Sequence, residues 1–255
     1  MNPRIGYRPG DSLLHRLHPL VKAGWLLAAT IALFALREPW AIVFLLILTL
    51  AAYPLNDLRV REIAGTRIAV VTALTLGGLQ VIFNRSGTVL LDAGPFTITR
   101  MGVSAATIVA GRFLSVILSS YLFVLTTDPN DLAYGLMQAG LPYRYGFALV
   151  TALRLVPIFE REAQRVHHAQ IVRGAAYGIR GPRRLFTLVR QFILPMLSSA
   201  LSKVDTLAVA MEGRGFGRYP TRTFYRPRSF THRDSLALVG LAVFILSVVI
   251  QLAIL

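Results

Sequence analysis

The sequence predicts an all-α integral membrane protein: about five transmembrane helices, two long helices on the cytoplasmic side and a short connecting helix. Three observations carry this reading. Of 255 residues, 55% are hydrophobic, and mean hydropathy is +0.58. Only 15% are charged, against about 25% in a typical soluble domain. The apolar residues also fall in blocks of about 20, the length a helix needs to cross about 30 Å of hydrocarbon.

Composition excludes several chemistries. The chain has no cysteine, so disulfides, thiolate catalysis and cysteine-ligated zinc or iron–sulfur sites are ruled out. A formal charge of +15 would suggest nucleic acid in a soluble protein, but positive-inside loops explain it here.

The first 22 residues are polar and basic, without the apolar run of a signal peptide. Lys22 is expected to snorkel from the start of the first span. His15 and His18 have helical spacing for a metal pair, but no third ligand lies near. Span one covers about Leu20 to Leu36, and Arg37-Glu38-Pro39 turns the chain. Span two covers Trp40 to Tyr53 and stops at Pro54. Span three covers Ile68 to Phe83, where Gly77-Gly78 allows a close helix contact or a bend. Val89-Leu90-Leu91 and Phe96-Thr97-Ile98-Thr99 flank Asp92-Ala93-Gly94-Pro95 as a small hairpin. Span four covers Gly102 to Thr126 and holds Arg112 near its middle, where a charge must face protein or water. Asp128 or Thr127 can cap a short helix that opens on Pro129. The last span covers Ser235 to Leu255. The chain thus divides into a four-span region 1–126, a cytoplasmic-side region 127–233 and a C-terminal span 234–255.

Basic residues set the orientation. Segments 1–22, 54–67 and 127–233 hold four, three and sixteen Lys and Arg. The alternating connections hold Arg37 alone, or Arg85 with Arg100. The first set is therefore cytoplasmic, with the N-terminus inside.

Residues 142–226 are too charged for another pair of spans and too apolar for a soluble loop. Leu149, Leu153, Val156, Phe159, Ala163, Val166 and Gln170 draw one helical stripe. A second run, starting near Pro182 or Arg183, aligns Leu185, Leu188, Phe192, Met196, Ser199 and Lys203. Pro157 and Pro195 lie inside these helices and should kink them. Ser198, Ser199, Ala200 and Ser202 are small enough for a close crossing. Each helix ends alike, in Val172-Arg173-Gly174 and in Glu212-Gly213-Arg214-Gly215-Phe216. The glycines suit the left-handed position after a helix end, and the dipole favours a cation there. Two arginines at matched ends suit docking to acidic or carbonyl groups of a partner. His167-His168 point about 100° apart on a helix of 3.6 residues per turn. Gly213 to Gly217 follows a helix and does not precede one, so it offers no phosphate cradle. No serine elbow or HExxH occurs. Arg218, Arg222, Arg226, Arg228 and Arg233, interleaved with Tyr219, Phe224 and Tyr225, fit anionic lipid or a partner better than nucleic acid.

In order along the chain, these motifs resemble the transmembrane coupling (T) component, EcfT- or CbiQ-like, of energy-coupling factor (ECF) transporters, which are ABC-type importers of vitamins and metal ions. They are Leu17-His18-Pro19-Leu20-Val21-Lys22, Thr126-Thr127-Asp128-Pro129, Gly140-Leu141-Pro142, Leu153-Arg154-Leu155-Val156-Pro157, Ala169-Gln170 with Arg173-Gly174, Ala210-Met211-Glu212 with Arg214-Gly215-Phe216, and Arg222-Thr223. The resemblance implies two coupling helices that dock into two ABC-type ATPase subunits, identical or different, through Arg173 and Arg214. Glu212, Phe216 and Arg222 support them. It also implies a substrate-binding S component as membrane partner, ATP and Mg bound only by the ATPases, and no cofactor, metal or catalysis in this chain. Location in the cell membrane follows from the same resemblance. Val172 and Gly213 stand where the family usually has alanine. The rival readings are a self-sufficient secondary permease or an intramembrane enzyme. The first would show paired interrupted helices at mid-membrane, the second a nucleophile or metal cluster.

Overall fold

Proline opens the helices of this chain. Its fixed φ and missing amide suit the first helical position, and Pro19, Pro39 and Pro129 begin helices while Pro142 caps another. The computed structural model describes residues 7–10, 12–58, 60, 65–84, 86–93, 96–174, 186, 189–219 and 230–254. Within these, α1 is Leu13–Arg16, α2 Pro19–Ala35, α3 Pro39–Ala52, α4 Thr66–Phe83, α5 Arg100–Thr126 and α6 Pro129–Gln138. Then come α7 Tyr143–Val172, a π turn Val189–Ile193 that leads into α8 Leu194–Gly213, and α9 His232–Ile254. Strands β1 (Val89–Ala93) and β2 (Phe96–Thr99) form the expected antiparallel hairpin, with Val89 opposite Thr99 and Ala93 opposite Phe96. Its turn residues, Gly94 and Pro95, lie outside the described residues.

The protein is an all-α multi-pass membrane protein. Five helical stretches among the described residues are long and apolar enough to cross a membrane: Pro39–Asn56, Thr66–Phe83, Arg100–Thr126, Val189–Gly213 and His232–Ala253. The membership differs from the sequence reading in two places. Val189–Gly213 qualifies because Gln191 to Ser202, between Arg190 and Lys203, is a largely apolar run without a charge. By contrast, α2 falls short at 17 residues.

The chain forms two compact units, one of Met1–Gly135 with Arg228–Leu255, the other of Leu136–Pro227. In the first, the α2–α3 turn packs Ala32, Leu33, Leu36, Ala41, Ile42 and Leu45 together. A second cluster joins Tyr53, Leu58, Leu118 and Leu125. Helix α5 is the common wall. Ala110 would lie 3.2 Å from a Cβ on Gly77, and Ile42 2.9 Å from one on Gly111, so α4 and α3 approach α5 at glycine. Gly78, by contrast, faces open space. The outward sides are apolar, with Ile31, Phe34, Phe44 and Ile68 exposed, a surface suited to lipid.

Polar joints hold one end of this unit. Lys22 does not snorkel: it is buried, and its Nζ donates to the Thr126 carbonyl at 2.7 Å. That acceptor is the open end of α5, where carbonyls lack helical partners, so an inward ammonium is better satisfied than an outward one. Asp234 is 1% exposed and accepts from the His18 amide at 2.6 Å and the Thr231 amide at 2.8 Å. One carboxylate thus serves the starts of both α2 and α9, where helix dipoles favour negative charge. His18 caps α2 through Nδ1, which accepts from the Leu20 amide, and it stacks on Phe230 at 4.3 Å. Asn56 accepts from Ser12 Oγ and the Leu14 amide, which binds the N-terminal segment to the turn after α3.

Arg112 has a structural task. Its Nε donates to the Leu33 carbonyl at 2.7 Å and its Nη2 to the Leu36 carbonyl at 3.2 Å, with the guanidinium over the Phe34 ring. These are the orphan carbonyls at the end of α2. Because α2 and α3 are short, 17 and 14 residues, their turn reaches only as far as the middle of α5. The arginine in mid-helix is therefore level with a polar turn, which removes most of the cost of placing it there.

Candidate partner-docking site

The second unit is built on α7, 30 residues long. Pro142 fixes its start, and the stripe predicted from the sequence faces inward at Leu153, Phe159, Ala163, Val166 and Gln170. Leu149 and Val156 depart from it, at 40% and 55% exposure. The buried position of the first turns is Gly146, not Leu149, because Met137 of α6 fills the space a Cβ would take there. Helix α7 runs unbroken through Pro157. Pro195 follows the π turn. A proline ring clashes with the carbonyl four residues back, here Gln191, and the wider winding around Gln191 relieves that clash.

Both helices end in the same backbone form. Arg173 closes α7 at φ −80° and ψ 9°, and Gly174 follows at φ +79°. Arg214 closes α8 at φ −95° and ψ 9°, and Gly215 follows at φ +65°. The Gly174 amide donates to the Ile171 carbonyl and the Gly215 amide to the Glu212 carbonyl, each at 2.9 Å. At α8 the Phe216 amide also donates to the Met211 carbonyl at 3.0 Å, completing a Schellman motif. A Cβ on Gly174 or Gly215 would meet nothing within 4 Å, so the left-handed φ, not crowding, demands glycine.

Each cap presents its arginine outward. Arg173, Gly174, Glu212, Gly213 and Arg214 are exposed, and Val172 is 87% exposed. Among the described residues neither guanidinium has an ion-pair partner. Each therefore offers a planar fork of donors on a surface that is exposed among the described residues.

The caps differ in their support. Phe216 turns back onto the start of α7, its ring 5.6 Å from Tyr143 and 4.7 Å from Phe147. The Arg214 cap therefore sits beside the first turns of α7, and the Arg173 cap ends the same helix. Thirty residues at about 1.5 Å each place the two about 45 Å apart. Between them, α7 meets α8 at a small residue. Ser199 Oγ donates to Glu162 at 3.0 Å, and Lys203 lies 3.1 Å from Ser199 and 3.6 Å from Glu162. The Ser199 hydrogen bond, assisted by Lys203 and Arg165 and opposed by burial, holds the Glu162 carboxyl below its ordinary range.

The sequence singled out Phe216 but not its seat. The signal was present: a hydrophobic residue just past a Schellman glycine commonly makes a contact, and Tyr143 and Phe147, four apart, share a helix face. Arg222 and the start of the second long helix near Pro182 lie outside the described residues. His167 and His168 have rings 6.0 Å apart and tilted by 57°, and among the described residues no three His, Asp or Glu side chains gather as a metal site.

Residues 10–225 match the CbiQ family, described as cobalt transport protein. An energy-coupling factor transporter transmembrane protein, EcfT, from Streptococcus equi subsp. equi is 30% identical over 244 residues, 91% of this chain and 90% of the relative. The EcfT protein of Listeria innocua is 29% identical over 248 residues, 93% of each. A longer protein of Bifidobacterium longum, named as an ABC transporter ATP-binding protein, is 29% identical over 252 residues, 94% of this chain and 32% of that protein. With 216 consecutive residues inside the matched region and the likeness to EcfT proteins extending over nearly all of it, the chain belongs to the CbiQ family of transmembrane transporter components.

Proposed function

We propose that this chain is the coupling subunit of an ECF-type ABC importer, and that Arg173 and Arg214 dock two ABC-type ATPase subunits. The observation that carries the reading is the pair of like caps, each an outward arginine held by a left-handed glycine. Two equal contacts about 45 Å apart at the ends of one helix of about 1.5 Å per residue suit two subunits better than one. The Bifidobacterium relative supports the partnership, since a segment similar to this chain forms part of a protein named for ATP binding. In this reading the chain performs no catalysis. ATP and Mg are bound by the ATPases, and a separate S component selects a vitamin or metal ion. The N-terminus and the two caps face the cytoplasm of the cell membrane, in accord with the basic residues there.

Charge reversal tests it. Arg173→Glu with Arg214→Glu should leave the protein folded and in the membrane, while ATPase co-purification falls at least about tenfold, as loss of a buried charged contact typically produces. Uptake should fall with it. Undiminished co-purification and uptake in the double variant would sink the proposal.

A further inference from the structure

The Arg214 cap is closed by its own Schellman hydrogen bonds, and the ring of Phe216 adds a contact beyond them. It joins the cap to something else. Phe216 packs on Tyr143 and Phe147 in the first turns of α7. One turn of α7 also carries Gly146, the buried glycine against which Met137 of α6 is pressed. Gly217, just after Phe216, lies where a Cβ would be 3.7 Å from Arg144 and 4.0 Å from the Tyr143 hydroxyl. The end of α8 is thus seated on the α6–α7 elbow, residues 137–147, by an edge-on and a tilted ring contact, with Gly217 beside Arg144 and Tyr143. Ring pairs at these separations attract one another in preferred geometries, and packed side chains pass strain to their neighbours. At the Arg173 cap the described residues include no such seat.

We infer that Phe216 is a positioning residue that carries displacement of the Arg214 cap to the α6–α7 elbow, so that one docking point drives the elbow and the other holds the far end of α7. This rests on the coupling function proposed above. Breaking the contact from the α7 side, at Phe147, should leave docking and ATP hydrolysis in place and detach them from transport.

The test uses the full assembly in proteoliposomes, with three readings on each variant: co-purified ATPase, ATP hydrolysis and solute uptake. Phe147→Ala, which leaves the cap residues intact, is expected to keep ATPase co-purification and hydrolysis within about twofold of the original. Uptake per ATP should fall about fivefold, the factor expected from losing one aromatic contact of ordinary strength. Phe147→Tyr keeps a ring and should keep the original ratio. Phe216→Ala approaches the same contact from the cap and should reproduce the loss of uptake per ATP; combined with Phe147→Ala it should add little. Unchanged uptake per ATP in Phe147→Ala would overturn the inference, as would a loss in Phe147→Tyr as large as in Phe147→Ala. Equal loss of docking, hydrolysis and uptake would also overturn it, since Phe216 would then act only through the cap. Failure of the unsubstituted chain to retain any ATPase would instead remove the coupling function itself.

Discussion

The two units of this protein put certain charges to opposite uses. In the first, while Arg16, Arg37 and Arg67 stay exposed, Lys22 and Asp234 are buried and Arg112 reaches back to the open end of α2. Each closes a helix end that would otherwise leave backbone groups unpaired in a medium without water. In the second, Gly146 is the one buried residue among those described, and the arginines at the helix ends point away. The same chemistry, a charged group at a helix terminus, is spent on cohesion in one unit and left available in the other. Cohesion and availability are alternatives for any one side chain, and the proposed docking draws on the unit that leaves its arginines available.

The largest expected effect comes from the scaffold. Asp234→Ala leaves the buried His18 amide without its acceptor, at about 1–3 kcal/mol, and also removes the part-buried bond from the Thr231 amide. A lowered thermal midpoint in detergent should show it. A midpoint within error of the unsubstituted protein would break the contrast between the units.

A smaller and more local effect is expected in the second unit. Gly215→Ala forces a Cβ onto a backbone at φ +65°, which costs about 1–2 kcal/mol. The helix end should fray, read as faster amide exchange around Phe216, with the global midpoint unmoved. A global shift would show that the caps belong to the cohesive core after all.

The smallest effect is a pH dependence. Glu162 has its folded-state pKa lowered chiefly by the Ser199 hydrogen bond. Its contribution to the α7–α8 contact is therefore complete above the ordinary carboxylate range and is lost as pH falls through the lowered value. Site-resolved titration should find a midpoint below that of an unperturbed glutamate, and Ser199→Ala should raise it. A midpoint unaffected by Ser199→Ala would remove this contact from the account.

How much was legible in the sequence follows the range of the interactions. Helices, hairpin and glycine caps are local, written in runs, alternations and single turn residues, and they were readable. Gly174 and Gly215 were placed in the left-handed region from their position alone. What failed was distant: His18 and Asp234 lie 216 positions apart, and Lys22 and Thr126 lie 104 apart. Lys22 was expected to reach outward because nothing near it in sequence announces a free carbonyl. Arg112 was marked as costly, but its acceptors at the end of α2 became visible only with the packing. The stripe on α7 slipped at Leu149 and Val156 because Met137, from another helix, chose Gly146 as the inward position. For the docking site itself, the matched endings were legible. The ring seat that sets them apart needed the two helices to be brought together.

One consequence of α7 remains. With one arginine beside its first turns and the other at its end, the helix is a ruler between the two proposed contacts. A single inserted residue lengthens it by about 1.5 Å and turns the far arginine by about 100°, so length and facing cannot be adjusted independently. Seven residues restore the facing to within about 20° while adding about 10 Å. Any partner assembly that accepts both arginines is thereby held to one spacing, and the number of residues in α7 becomes a dimension of the whole complex.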